Sequence, residues 1–286
     1  MKVVRQIVRK ALLVIGLLGC VQTSQAQHLQ ASLSHYSTDN GLASNAIAYM
    51  TQDDYGFVWI ATWNGLSRFD GFHFYNYATG ARSHIPNMHN RILDLAIDTH
   101  QNVWMRMYDH RVFVLRRSID KIVNPFENIS GSAEYRSEYP IVVTSGGSVL
   151  VNVSGVGLYK FKPETDGFSS ELVTTAGLQV TSMAEGYHDE IWLGTDKGVH
   201  RMDISNLTIE RKGYFLDEYV TCLFSNGYNV FVGTKSGKIL SYAYGQEPKE
   251  IRRGGKSINK LFVDSWLFML TNNSTIPIIG SPICHC

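Results

Sequence analysis

The sequence predicts an all-β protein: a β-propeller of four-stranded antiparallel blades, with about five full blades plus an incomplete sixth, in an open or distorted ring. Three observations predict it. An apolar-aromatic strand recurs at spacings of 45, 46, 42 and 39 residues. Each copy follows a turn rich in Gly, Asn and Asp. Outside the N-terminal segment, no amphipathic helix runs beyond a turn or two. Repetition at such a period marks a propeller or a similar array.

The elements follow in chain order. Lys2, Arg5, Arg9 and Lys10 precede the apolar run Ala11–Cys20, and Ser24-Gln25-Ala26 fits a cleavage site, so residues 1–26 read as a secretory signal peptide. The run is too short to span a membrane comfortably. Leu17-Leu18-Gly19-Cys20 also resembles a lipoprotein box, with Cys20 as the lipid attachment residue.

Residues 27–274 read as the partial propeller. The strong strands centre on Trp59, Trp104, Leu150, Trp192 and Phe231, and a sixth begins at Trp266. Turns such as Asp53-Asp54-Tyr55-Gly56 and Ser225-Asn226-Gly227-Tyr228-Asn229 precede them and supply positive φ or self-capping side chains. Before each turn lies a short strand with small or polar residues, as in Val180-Thr181-Ser182-Met183, which suits the innermost strand beside a crowded channel. A third, alternating strand follows, as in Gly198-Val199-His200-Arg201-Met202, then a weaker fourth, as in Phe72–Tyr77. The recurring aromatics are expected to pack between blades. Ser32–Ser37 resembles the strand that would complete the last blade. Residues 275–286 read as an irregular tail, because Pro277 and Pro282 interrupt ladder bonding.

Composition narrows the function. There are 26 basic and 25 acidic residues, with no basic stripe, so nucleic acid is not an expected partner. Loss of residues 1–26 removes four basic residues and leaves 22 against 25, a net charge near −3. Hydrophobic residues make up 44% and charged residues 18%, a balance that fits a folded core and argues against disorder. Ten histidines show no metal-ligand spacing, and no Ser/His/Asp set assembles, so neither cofactor nor catalysis is expected.

The run Asp39-Asn40-Gly41-Leu42-Ala43-Ser44-Asn45-Ala46-Ile47, with Gln52-Asp53, Gly56–Thr62 and Gly65–Gly71, closely resembles the two-component regulator propeller repeat. Ala61 stands where that family more often has Gly. Ile191–Thr195 with Gly198, and Val232-Gly233-Thr234 with Gly237, resemble it too. The resemblance implies the periplasmic sensor region of a hybrid two-component histidine kinase, in a family where many members respond to oligosaccharides. It implies further propeller and signalling domains, or a homodimer partner. The kinase and DNA-binding parts of such proteins have no counterpart in this sequence, which reads as a truncated N-terminal fragment with exposed sheet edges prone to aggregation. A secreted propeller enzyme acting on polysaccharide, and a protein-interaction scaffold, stay open as alternatives.

Propellers usually bind ligands at one channel mouth. The loops between second and third strands supply Trp63, Asn64, Arg106, Tyr108, His110, Asp196, Lys197 and Lys235, and the inter-blade loops supply His89 and Arg91. Aromatic rings beside such donors and acceptors suit an oligosaccharide. Trp63 leads them, as an exposed Trp beside a buried one.

Overall fold

The computed structural model describes residues 34–277, apart from 78, 80–83, 86, 133–134, 174–176, 188–189, 211, 244–245, 254, 264–266 and 272–273. The signal segment 1–26, Cys20, Ser32, Leu33, Trp266 and residues 278–286 therefore lie outside the described residues. Residues 34–37 carry no strand.

Six sheets follow one another along the chain. Blade 1 comprises β1 (Ile47–Gln52), β2 (Val58–Thr62), β3 (Gly65–Phe69) and β4 (Phe74–Tyr77). Blade 2 comprises β5 (Ile92–Ile97), β6 (Val103–Met107), β7 (Val112–Arg116) and β8 (Lys121–Val123). Blade 3 holds β9 (Val142–Val143), β10 (Val149–Val153), β11 (Gly157–Glu164) and β12 (Gly167–Val173). Blade 4 holds β13 (Val180–Glu185), β14 (Glu190–Thr195), β15 (Gly198–Asp203) and β16 (Thr208–Ile209). Blade 5 holds β17 (Val220–Ser225), β18 (Asn229–Thr234), β19 (Lys238–Ala243) and β20 (Lys249–Arg253). Blade 6 shows three strands among the described residues, β21 (Lys260–Val263), β22 (Leu267–Thr271) and β23 (Ser274–Pro277). All neighbours pair antiparallel in chain order, so each sheet is a simple meander. Strand β23 corrects the expected tail: Thr275–Pro277 pair with β22. A proline is tolerated there because β23 is the outer strand of its sheet among the described residues and Pro277 ends it.

The cores lie between blades. Trp59, Ala61 and Leu66 of blade 1 pack with Ile92, Val103 and Met105 of blade 2. Trp104 packs on Val149, Val151 and Phe161 of blade 3. Leu150 meets Val180, Ile191 and Leu193 of blade 4. Trp192 meets Val220, Val230 and Val232 of blade 5, and Phe231 meets Ile258 and Leu261 of blade 6. Each large side chain is thus buried against the next blade, the geometry the repeat predicts. Burying a side chain of this size contributes about 1.5–3 kcal/mol, which makes these interfaces the main source of stability.

Polar residues of the repeat set the local geometry. Asp53 and Asp98 sit six residues before Trp59 and Trp104. The Asp98 Oδ1 accepts the backbone N–H groups of His100 and Asn102 at 2.9 and 3.0 Å. Its Oδ2 accepts the Trp104 indole N–H and the Asn102 side-chain amide, both at 2.9 Å. Asp53 repeats this for Tyr55, Phe57 and Trp59, and adds Arg117 of blade 2 at 2.9 Å. One carboxylate therefore closes the turn and orients the buried ring. Blade 4 has Gly186 at that position, and its indole takes the vacated space: a Cβ on Gly186 would lie 2.6 Å from the Trp192 Nε1.

The innermost strands of blades 1, 2, 4 and 5 each carry a bulge at their start. In blades 4 and 5 the bulged residue is a threonine. Thr181 donates its hydroxyl to the Val220 carbonyl at 2.7 Å, and Thr221 donates to Ile258 O. Small residues inside these strands are thus explained by close approach of the next blade. Gly233 has the same cause, since a Cβ there would meet the Cys222 Sγ at 2.6 Å and Ile258 at 2.7 Å.

The ring is open. Among the described residues, no strand of the first blade enters the sheet of the last. Strand β1 is exposed along nearly its whole length, whereas β13 is buried. Ile47 and Met50 are 45% and 58% exposed. From blade 6, the Lys260 ammonium lies 5.9 Å from the Tyr49 ring.

Candidate functional site

One repeated backbone bond builds the channel mouth. In blades 1 to 5 the first residue after the second strand donates its N–H to the carbonyl of a residue leading into the first strand of the same blade. The pairs are Trp63 to Ala46, Tyr108 to Arg91, Ser154 to Arg136, Asp196 to Gln179, and Lys235 to Tyr219, at 2.8–3.2 Å. This latch needs no particular side chain. Buried threonines brace it in three blades: the Thr62, Thr195 and Thr234 hydroxyls accept N–H groups of Asn64, Lys197 and Lys238, each at 3.0 Å.

Blades 1 and 2 bring five of the expected residues together. The Arg91 guanidinium lies over the Trp63 ring at 3.9 Å and over the Tyr108 ring at 4.4 Å. His89 stacks beside Tyr108, with ring centroids 5.4 Å apart, and its Nδ1 accepts the Arg91 backbone N–H at 3.0 Å. Asn64 joins them by accepting the Asn90 side-chain amide at 3.5 Å. Trp63 is 52% and Tyr108 50% exposed. The exposure of Trp63 matches expectation, but Arg91 covers one face of its ring.

Arg106 stands differently. It is 8% exposed, so it is an internal group and no free rim donor. Its Nε donates to Asp94 at 2.8 Å, Nη2 also reaches Asp94, and Nη1 donates to the Glu138 carbonyl at 2.9 Å. His110 lies beside it, with Nδ1 3.3 Å from Nη1. Burial raises the Asp94 carboxyl above its ordinary range, and the Arg106 charge opposes that rise.

A third group spans blades 3 to 5. Tyr139 and Tyr219 are neighbours across blades, and burial first, then the Tyr219 phenol, pushes Tyr139 up to about 12. The Lys235 ammonium lies 5.4 Å from the Tyr219 ring. Asp196 accepts the Gln179 N–H at 3.3 Å, and Lys197 is exposed. A cleft of about 460 Å³ opens here, lined by Glu138, Tyr139, Asn152, Ser154 and Gln179.

The ten expected residues thus fall into three neighbouring groups. The sequence reading missed Asp94, Tyr139, Gln179 and Tyr219. Taking the residue just before each inner strand in every repeat, as was done for Arg91, would have found Gln179 and Tyr219. No group of three or more His, Cys, Asp or Glu side chains among the described residues is placed to hold a metal. Nor is any described helix long and apolar enough to cross a membrane.

The stacked meanders and the latched mouth define a β-propeller. Within that class, residues 41–64, from Gly41 through β2 to Asn64, match the model of the two component regulator propeller family. No curated protein matches the sequence. Among solved structures, the chain is similar to the extracellular domain of BT3049 of B. thetaiotaomicron, assigned as a hybrid two component system. Identity is 18% and the TM-score 0.52, over 87% of this chain and 42% of that one. It is similar to PorZ of Porphyromonas gingivalis, an essential surface component of the type-IX secretion system, at 16% identity and TM-score 0.60, over 81% and 38%. A third is the extracellular domain of BT4673 of B. thetaiotaomicron, also assigned as a hybrid two component system, at 16% and 0.53, over 82% and 38%. At these identities the likeness shows the fold. The chain spans about two fifths of the length of these structures.

Proposed function

We propose that the chain is the ligand-sensing propeller of a hybrid two-component signalling protein, exported to the periplasm and without catalysis of its own. The match of residues 41–64 to the regulator propeller repeat carries this reading. The charged n-region and apolar run before Ala26 support export. The ligand is an oligosaccharide. Support comes from the half-exposed rings of Trp63 and Tyr108, the Asn64 and Asn90 amides beside them, and the polar cleft between blades 3 and 4. Rings and neutral amides are what sugar faces and hydroxyls engage. A ligand touching more than one blade would favour one arrangement of the ring and so bias how further domains pack on it.

A calorimetric glycan-binding screen of the full chain tests this. The expected result is binding by a restricted set of oligosaccharides, weakened at least tenfold by Trp63→Ala. A folded protein, shown by its β circular dichroism spectrum, that binds no oligosaccharide would overturn the sugar-sensing reading.

A further inference from the structure

Arg91 is bonded unlike four other enclosed arginines, and unlike Arg68, which also lacks a carboxylate but donates to the Tyr77 hydroxyl at 3.5 Å. Arg106 faces Asp94, Arg111 faces Asp109 at 2.8 Å, Arg117 faces Asp53 at 2.9 Å, and Arg201 faces Glu190 and Glu210 at 3.2 and 2.6 Å. No carboxylate reaches Arg91 among the described residues. Its Nε is buried with no hydrogen-bond acceptor. Its terminal nitrogens donate to nothing among the described residues. The Trp63 and Tyr108 rings pack against the guanidinium, 3.9 and 4.4 Å from ring centroid to Cζ, and its unbonded N–H groups are what it has left to offer.

A partly desolvated cation without an acceptor is unfavourable unless one arrives from outside. A guanidinium held in this way matches an oxyanion that presents two oxygens side by side, which it binds through two parallel N–H groups. The groups nearby add donors. His89 accepts the Arg91 N–H at Nδ1, so in the neutral ring the proton sits on Nε2 as a further donor. Asn90 supplies an amide N–H beside Asn64.

We propose that Arg91 recognises an oxyanion substituent on the sensed sugar, a uronic-acid carboxylate or a sulfate ester, so that the ligand is an acidic oligosaccharide. This rests on the oligosaccharide reading above and specifies its charge. Calorimetry of the full chain with oligogalacturonate, with the same oligomer as its neutral methyl ester, and with a sulfated galactan oligomer tests it. An acidic oligomer should bind at least about tenfold tighter than the ester, the scale of a charge-assisted hydrogen bond. Arg91→Gln should abolish that difference. Arg91→Lys should restore little of it, because an ammonium lacks the fork. Affinity for the acidic oligomer should also fall as salt rises. Preference for the carboxylate or the sulfate identifies which oxyanion is read. Equal binding of acid and ester by the unmodified chain overturns the proposal and leaves sugar sensing intact. Binding of none of the three overturns the proposal, and failure of the wider screen overturns sugar sensing itself. The acid-to-ester ratio and salt dependence of the unmodified chain decide the matter even where an Arg91 variant fails to fold.

Discussion

Replacing Asp98 by Asn changes one atom and should destabilise the protein strongly. The Asp98 side chain presents two acceptor oxygens, and all four of its hydrogen bonds are accepted ones. An asparagine keeps one oxygen for the backbone N–H groups of His100 and Asn102. Its NH2 group then faces the Trp104 indole N–H and the Asn102 amide, donor against donor. Trp104 is 0% exposed, so its N–H finds no water. A buried donor left unpaired costs about 1–3 kcal/mol, and two of them put the penalty at about 2–4 kcal/mol after local relaxation. At about 2–4 °C per kcal/mol for a domain of this size, the midpoint should fall by roughly 5–15 °C. Thermal denaturation followed by tryptophan fluorescence measures it. Because blades stack on neighbours, the variant should also melt less cooperatively. An Asp98→Asn protein that melts within about a degree of the unmodified chain would refute the view that this carboxylate orients the ring.

Two other perturbations follow from the same geometry. Gly233→Ala places a methyl 2.6 Å from the Cys222 Sγ and 2.7 Å from Ile258. Overpacking of this kind costs about 1–3 kcal/mol, and hydrogen exchange should speed in blades 5 and 6 before blade 2. Burial, chiefly, pushes Tyr77, Tyr139 and Tyr159 each up to about 12. A raised folded-state value means the unfolded chain releases these protons first. Their contribution is therefore whole below about pH 10 and is lost as pH rises toward about 12. Melting temperatures should drop across that window, and absorbance near 295 nm should show these phenols ionising after the exposed ones.

Much of the fold was legible because its signal is local. The alternation of Gly198–Met202 and the turn residues around Gly56 and Gly227 specify strands and hairpins within a few positions. The period then says which faces stack, and Trp59, Trp104 and Trp192 are 0–2% exposed as expected. The candidate site was legible only in part, because its partners come from other repeats. Nothing near Arg106 in sequence announces Asp94, twelve positions back across a bulged pair, or the carbonyl of Glu138. Asp53 and Asp98 read as turn residues, and their second role with the indole emerges only when the strand folds back. Tyr139 and Tyr219 meet across blades, in a loop preceding a degenerate inner strand where the repeat gives little guidance. Pro277 misled because a proline forbids a central strand but not an outer one.

The latch at the mouth has a wider consequence. It joins main-chain atoms only, and the position it fixes holds Trp63, Tyr108, Ser154, Asp196 and Lys235 in successive blades: an indole, a phenol, an alcohol, an acid and an amine. The scaffold is indifferent to which of these projects from it. Recognition can therefore drift by single replacements on the rim while the stacked interior is left alone, and one architecture can be retuned to new chemical signals without being rebuilt.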